Sequence, residues 1–268
     1  MIEIKNLTFS YQKNKALFDN LSLTCEQGSI VGLLGKNGAG KSTLLHLING
    51  FIAPKAGEIS VNGYTPMDRK PDYLADAYMV PEEFSFPNVS IEVYTSAYSP
   101  LFPRFDREKL DNILQEFDLQ PKNQLNKLSH GQRKKFLIAF ALASNSRLLL
   151  LDEPTNGLDI PSKSQFRKIL VSSITDEQLV IISTHQVKDI DSVIDKVIIM
   201  DNGKIAYDKS VNEITETISF ETLPSLEDEN DILYSEPSPM GYRVIRQADS
   251  FTDTPMDLEL LFNYITNQ

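Results

Sequence analysis

Eight consecutive residues carry the strongest chemical pattern in the chain: Gly35-Lys36-Asn37-Gly38-Ala39-Gly40-Lys41-Ser42. Glycines let a backbone double back and aim successive N–H groups at an anion, here beside the positive end of a following helix. The spacing fits the phosphate-cradling loop G-x-x-x-x-G-K-[ST]. In that reading the loop from Gly35 through Asn37, Gly38, Ala39 and Gly40, continuing to Thr43, wraps a nucleotide's phosphates. Lys41 reaches the β- and γ-phosphates, and the Ser42 hydroxyl meets Mg²⁺, which binds few protein oxygens besides phosphate and water.

Three further stretches offer groups that such a loop needs. Leu148-Leu149-Leu150-Leu151-Asp152-Glu153 is a buried strand with two carboxylates at its C-terminal end, where parallel α/β sheets bind ligands. Asp152 is placed to hold Mg²⁺ through its water shell, and Glu153, on the other face of the strand end, to polarise an attacking water. Leu179-Val180-Ile181-Ile182-Ser183 is a second such strand, ending in Thr184-His185, and His185 there serves either structure or the phosphates. Ser129-His130-Gly131-Gln132 matches the capping box S-x-x-Q and opens a helix whose amino end is a second potential anion site. Tyr11 could offer a ring face to a base, or be an ordinary strand aromatic.

The elements that position these groups are readable in part. Ile30 to Leu34 reads as the strand before the loop and Ser42 to Asn49 as the helix after it. Ile2 to Tyr11 and Leu17 to Thr24 alternate as antiparallel strands, with Asn14-Lys15 near their turn, and Glu58 to Val61 is a short strand between turn signals. Asp106 caps a helix running to Leu119, and Pro161 suits the first position of a helix over Ser162 to Ser172. Val197 to Tyr207 is a hairpin around Asn202-Gly203. Between Tyr78 and Phe105, four prolines (Pro81, Pro87, Pro100, Pro103) should break helical content. The seven aromatics there suit either a docking surface or a small aromatic core.

Composition sets the limits. The 268 residues, 41% hydrophobic, suffice for a sizeable core, and the start of the chain shows no signal-peptide pattern and no apolar run of membrane-spanning length. A cytoplasmic protein is expected. The single cysteine, Cys25, excludes an internal disulfide framework. The net charge is -11, and residues 213 to 268 hold twelve acids against two arginines, so the preceding body is nearly neutral and the tail acidic. Without a basic stripe, nucleic acid is not an expected partner. The composition change places a domain boundary near Glu213, and strand-like pieces at Thr217 to Leu223 and Gly241 to Arg246 precede a closing helix over Met256 to Tyr264.

Taken in order, these motifs resemble the nucleotide-binding subunits of ABC transporters over about residues 1 to 212. Gly35 to Ser42 is similar to Walker A, Leu128 to Gln132 to the signature LSGGQ, Leu148 to Glu153 to Walker B with its catalytic glutamate, Gly157-Leu158-Asp159 to the D-loop and His185 to the switch histidine. The resemblance implies an α/β fold: a P-loop NTPase core with a mostly parallel sheet, an N-terminal antiparallel β subdomain, an α-helical signature subdomain at about 84–145, and a small acidic α+β extension at 213–268. It also implies ATP and Mg²⁺ as ligands, Tyr11 stacking on adenine, and Lys41, Glu153 and His185 as the catalytic groups. It further implies a head-to-tail pair, of like or unlike subunits, in which Ser129, Gly131, Gln132 and Asp159 act on the nucleotide of the facing subunit. The pair would work on the inner face of the cell membrane and drive a polytopic permease. Two positions depart from the pattern. Glu82 stands where the family's Q-loop glutamine follows a proline, able to accept from water or meet Mg²⁺ while adding negative charge, and His130 replaces a signature glycine. Glu82 and the acidic extension resemble the ABC-2 type of exporter ATPases. A soluble switch of the same type, acting on a protein complex without transport, is the alternative.

Overall fold

The computed structural model describes residues 2–13, 15–226, 231–248 and 254–267. Asn14, expected near the first turn, lies outside the described residues; Gln12 and Lys15 beside it pair as an antiparallel bridge.

The chain begins with β1 (Ile2–Phe9), β2 (Phe18–Cys25) and β3 (Ser29–Leu34), then the glycine-rich loop and α1 (Lys41–Ile48). β4 (Ala56–Val61), the single turn α2 (Pro71–Leu74) and β5 (Ala77–Val80) follow, and three helices come next: α3 (Ile91–Tyr98), α4 (Arg107–Glu116) and α5 (His130–Ala143). β6 (Leu148–Asp152), α6 (Ile160–Ser173), β7 (Leu179–Thr184), β8 (Lys196–Asp201) and β9 (Lys204–Ser210) complete the main sheet. The tail holds α7 (Val211–Thr217), β10 (Ile218–Leu223), β11 (Ile232–Ser238), β12 (Gly241–Gln247) and α8 (Leu258–Thr266).

Sequence pattern explains the layering. β6 and β7 are buried at every position, as uninterrupted apolar runs must be when helices cover both faces of a parallel sheet. They lie inside the six-stranded sheet β5-β6-β7-β3-β8-β9, parallel except for β9, which returns from β8 through Asn202 and Gly203, both at positive φ. Alternating β1 and β2 instead join β4 in a separate antiparallel sheet with β1 at its centre. Register decides the site: Leu34 pairs with Thr184 and Asp152 with Ser183, so the ends of β3, β6 and β7 finish at one level.

The aromatics between Tyr78 and Phe105 resolve mainly to a core. Tyr78, Phe86, Tyr94, Phe102 and Phe105 pack on Phe136 and Phe140 of α5, with ring centroids 5.0 to 6.1 Å apart. Tyr98 and Leu101 remain largely exposed. The prolines bound α3 instead of breaking it, since Pro87 precedes its Ser90 cap and Pro100 follows its end. One expected boundary shifts: Asp159 is the N-cap of α6, accepting from the Ser162 N–H at 3.0 Å, so Ile160 takes the first position and Pro161 the second.

The tail forms a three-stranded sheet, β10-β12-β11, and is not insulated from the body. Ile218, Phe220, Ile245, Leu258 and Leu261 belong to the same buried cluster as Leu149, Val180 and Phe166. Arg243 binds Glu236, Asp257 and Glu259 at 2.9 to 3.2 Å, neutralising part of the tail's acidity within the tail itself. β11 was absent from the sequence expectation because Ile232–Ser238 mixes polar residues with Pro237 and alternates poorly.

Candidate nucleotide-binding and catalytic site

The glycine-rich loop leaves β3 and enters α1 through Gly40, whose φ of 108° lies in the left-handed region; a Cβ there would come 2.7 Å from the Phe18 ring. No side chain caps α1. Its first N–H groups are thereby available to an anion at the positive end of the helix.

Lys41 is 6% exposed. Its Nζ donates to Gly35 O at 2.7 Å and to Lys36 O at 3.4 Å, and stands 3.8 Å from Glu153 Oε1. Burial holds its ammonium below the usual lysine range, against the attraction of Glu153, Asp152 and Glu82. Ser42 Oγ donates to Asp152 Oδ1 at 3.1 Å, and Ser183 Oγ donates to the same oxygen. A hydroxyl and a carboxylate so placed, both hard oxygen donors, fit Mg²⁺.

Glu153 follows β6 at φ 45°, a left-handed conformation uncommon for a residue with a side chain. That turn aims its 4% exposed carboxylate at the end of β7. Thr184 Oγ1 donates to Oε2 at 3.0 Å, while the His185 N–H donates to Oε1 at 3.1 Å and His185 Nδ1 lies 2.8 Å from Oε1. Thus Lys41, Asp152, Glu153 and His185 converge, as the register of β3, β6 and β7 requires.

Lys41, Glu153 and His185 line a cavity of about 810 Å³ together with Asn37, Gly38, Gly40, Ser42, Thr43, Glu82 and Asn156, and Asp152 joins it through its hydrogen bond with Ser42. Tyr11 borders it as a residue 67% exposed, with its hydroxyl 3.0 Å from Thr43 Oγ1. Glu82 Oε1 accepts from Asn156 Nδ2 at 3.2 Å. Gly35 and Ala39 shape the loop from behind: a Cβ on Gly35 would come 2.7 Å from Met200 O, and Ala39 is buried.

Ser129, Gly131, Gln132 and Asp159 are not brought to this cavity. Ser129 and Gln132 form a reciprocal capping box, Ser129 N donating to Gln132 Oε1 at 3.0 Å and Gln132 N to Ser129 Oγ at 3.2 Å. Asp159 caps α6. All three of these side chains are exposed, on the surface that bears the amino end of α5.

Sequence reasoning missed Thr184 and Asn156, and it missed Lys134. Lys134 is fully buried, donating to Pro81 O at 3.2 Å, Glu82 O at 3.1 Å and Glu153 O at 3.5 Å, and burial pushes its ammonium down to about 8. Within Arg133-Lys134-Lys135 it looks like one of three solvated bases; only its place on the helix face that carries Leu137, Ile138 and Ala141 marks it out.

A parallel α/β core whose glycine-rich loop, strand-end glutamate and histidine surround one cavity defines a P-loop ATPase. Residues 18–156 match the family model described as ABC transporter, and the chain belongs to this family. It is 34% identical over 231 residues to the methionine import ATP-binding protein MetN of Carboxydothermus hydrogenoformans, a match covering 80% of this chain and 67% of that one. It is 30% identical over 223 residues to the SkfA peptide export ATP-binding protein SkfE of Bacillus subtilis, covering 81% and 92%. Among solved structures, the dimeric bacterial ABC transporter cassette MJ0796 superposes with a TM-score of 0.69 at 24% identity, covering 79% of this chain and 99% of that one, which shows the shared fold. The chain is therefore the ATP-binding subunit of an ABC transporter, an ATPase that uses ATP with Mg²⁺. No helix among the described residues is long and apolar enough to cross a membrane.

Proposed function

We propose that this subunit pairs head to tail with a second ATPase subunit over two ATP molecules and drives a separate polytopic membrane partner in export. The observation that carries the reading is the convergence of Lys41, Glu153 and His185 on one cavity, with Asp152 bound to its Ser42, while the exposed amino end of α5 lies outside it. Half of a phosphate site is thus presented on a surface, which a second subunit's nucleotide would cover.

Within the pair, Lys41 and the loop N–H groups bind the phosphates, and Ser42 and Asp152 hold Mg²⁺, which when bound neutralises phosphate charge. Glu153 accepts the proton of the attacking water, held in place by Thr184 and His185. His185 meets the γ-phosphate, and Tyr11 stacks on the base. Ser129 and the N–H groups of Gly131 and Gln132 complete the site of the facing subunit, with Asp159 beside them. Closure over ATP and release after hydrolysis give a two-state element able to do mechanical work.

Export is supported by Glu82 after Pro81, by the extension beyond residue 212, and by the relative named for peptide export, of which this chain covers 92%. The domains we assign are 1–212 for the ATPase, with the helical subdomain at about 84–145, and 213–268 for the extension. The test is an affinity pull-down from gently solubilised membranes of the source cell, with partners identified by mass spectrometry. A polytopic protein supports the coupling, and a second ATPase beside it a mixed pair; recovery with soluble proteins only overturns it in favour of a soluble switch.

A further inference from the structure

Lys134 is an ammonium buried to 0% exposure in the first turns of α5. Taking such a charge out of water is costly unless polar groups surround it. Its hydrogen-bond acceptors among the described residues are three main-chain carbonyls: those of Pro81 and Glu82, just after β5, and that of Glu153, just after β6. The ammonium also stands 5.1 Å from the centre of the Phe84 ring, a favourable distance for a cation over an aromatic face. His130, four residues earlier on α5, stacks on the same ring with centroids 5.4 Å apart and planes at 27°. The His130 ring in turn packs so close to Gly157 that a Cβ there would come within 2.9 Å. Two side chains from one helix face therefore grip the segment Pro81–Phe84, and one of them also holds the backbone of Glu153.

The charges around the grip matter as well. Glu82, Asp152 and Glu153 are the acids whose fields act on Lys134, and Glu82 is the one carboxylate standing where the resembled family carries a neutral glutamine. With Lys134 present, the added negative charge at Glu82 has a buried counter-charge attached to its own main chain.

We infer that Lys134 is a positioning residue for ATP hydrolysis: it fixes the Pro81–Phe84 segment and the Glu153 backbone to the amino end of α5 and offsets the carboxylate of Glu82. Movement of the signature helix is thereby transmitted to Glu153 through one side chain. The inference rests on the assignment of Glu153 as the base.

The experiment measures steady-state kcat and KM for ATP with Mg²⁺, and the Kd of a fluorescent ATP analogue, on the purified full chain. Lys134→Met removes the charge and the donors while keeping the length of the stem. We expect kcat at least tenfold lower with Kd within threefold of the parent, and recovery of at least threefold of that loss in Lys134→Met/Glu82→Gln. Lys134→Met within twofold of the parent kcat overturns the inference, as does a double variant no faster than the single one, the result a purely structural role gives. Should Lys134→Met not fold, Phe84→Leu leaves the ammonium in place; a kcat threefold or more lower at unchanged Kd is expected, and an unchanged kcat overturns the inference. Glu153→Gln measured in parallel separates the two readings. If it loses turnover while the Lys134 and Phe84 variants do not, only the positioning role fails; if it keeps turnover, the assignment of the base fails and the inference with it.

Discussion

Ser42 Oγ and Asp152 Oδ1 lie 3.1 Å apart, although 110 residues separate them in sequence. The contact joins the first turn of α1 to the last residue of β6, so the oxygens we assign to Mg²⁺ are fixed by an inner strand of the sheet and by the helix that follows the glycine-rich loop. Asp152→Asn keeps the shape but removes the single negative charge of the pair. Its Mg²⁺ dependence should weaken by about 10- to 100-fold, the usual effect of disturbing a metal's ligand set. Titrating Mg²⁺ against turnover at fixed ATP measures this, and an unchanged Mg²⁺ midpoint would remove Asp152 from the metal site.

Tyr11 stands at the cavity mouth with most of its ring in solvent, anchored through its hydroxyl to Thr43. An exposed aromatic gains most by covering a base, and such stacking is worth about 1–3 kcal/mol. Tyr11→Ala should therefore raise the ATP Kd by roughly tenfold or more, with little change in turnover at saturation. Tyr11→Phe should retain the stacking and lose only the Thr43 contact. Isothermal titration resolves both, and equal Kd values for Tyr11→Ala and the parent would leave the residue an ordinary surface aromatic.

Much of this site is legible in the sequence because its rules are local. The glycine-rich loop, the capping box at Ser129 and the Asn202-Gly203 turn each lie within a few residues and have one backbone solution. The apolar runs of β6 and β7 are equally plain, since burial on both faces keeps polar residues out of them until their C-terminal ends, at Asp152, Ser183 and Thr184. What was not legible depends on packing between distant segments. Lys134 reads as solvated until α5 is laid against Pro81 and Glu82. The aromatics from Tyr78 onward had two destinations until Phe136 and Phe140 supplied partners. β5 is four residues long and only partly buried except at Val80, too short for a period to show. The composition change near Glu213 is real, yet Leu258 and Leu261 bury themselves in the main core, because charge marks the surface of a segment and not where its apolar face goes.

Complementation tests the head-to-tail arrangement. Lys41→Ala and Ser129→Arg should each abolish paired turnover when homogeneous. Mixed in equal amounts, half of the pairs combine one of each, and such a pair has one site with both the intact Lys41 and the intact Ser129. Turnover should return to about a quarter of the parent value. A mixture as inactive as its components would contradict the exchange of α5 between sites.

Cys25 is fully buried in β2, and burial pushes its thiol up to about 11 from an ordinary 9.0. In the unfolded chain the thiol ionises near 9 while in the fold it stays protonated, so the unfolded state binds fewer protons over pH 9 to 11 and stability falls as pH rises through that window. The Cys25 share of the loss approaches about 2 kcal/mol at the upper end. Urea unfolding of the parent and of Cys25→Ala at pH 8 and pH 11 isolates it: the parent should lose more stability than the variant. Equal losses would show that the thiol ionises alike in both states.

The central claim is that Glu153, held by Thr184 and His185, is the base of an ATPase whose site a second subunit completes. Its most direct test is Glu153→Gln, assayed for turnover and for ATP-dependent pairing by light scattering on a sizing column. Turnover should fall by roughly 10²- to 10⁴-fold while ATP binding persists, and the variant should accumulate as a pair in ATP with Mg²⁺. Near-normal turnover, or a chain that stays single at saturating ATP, would contradict it.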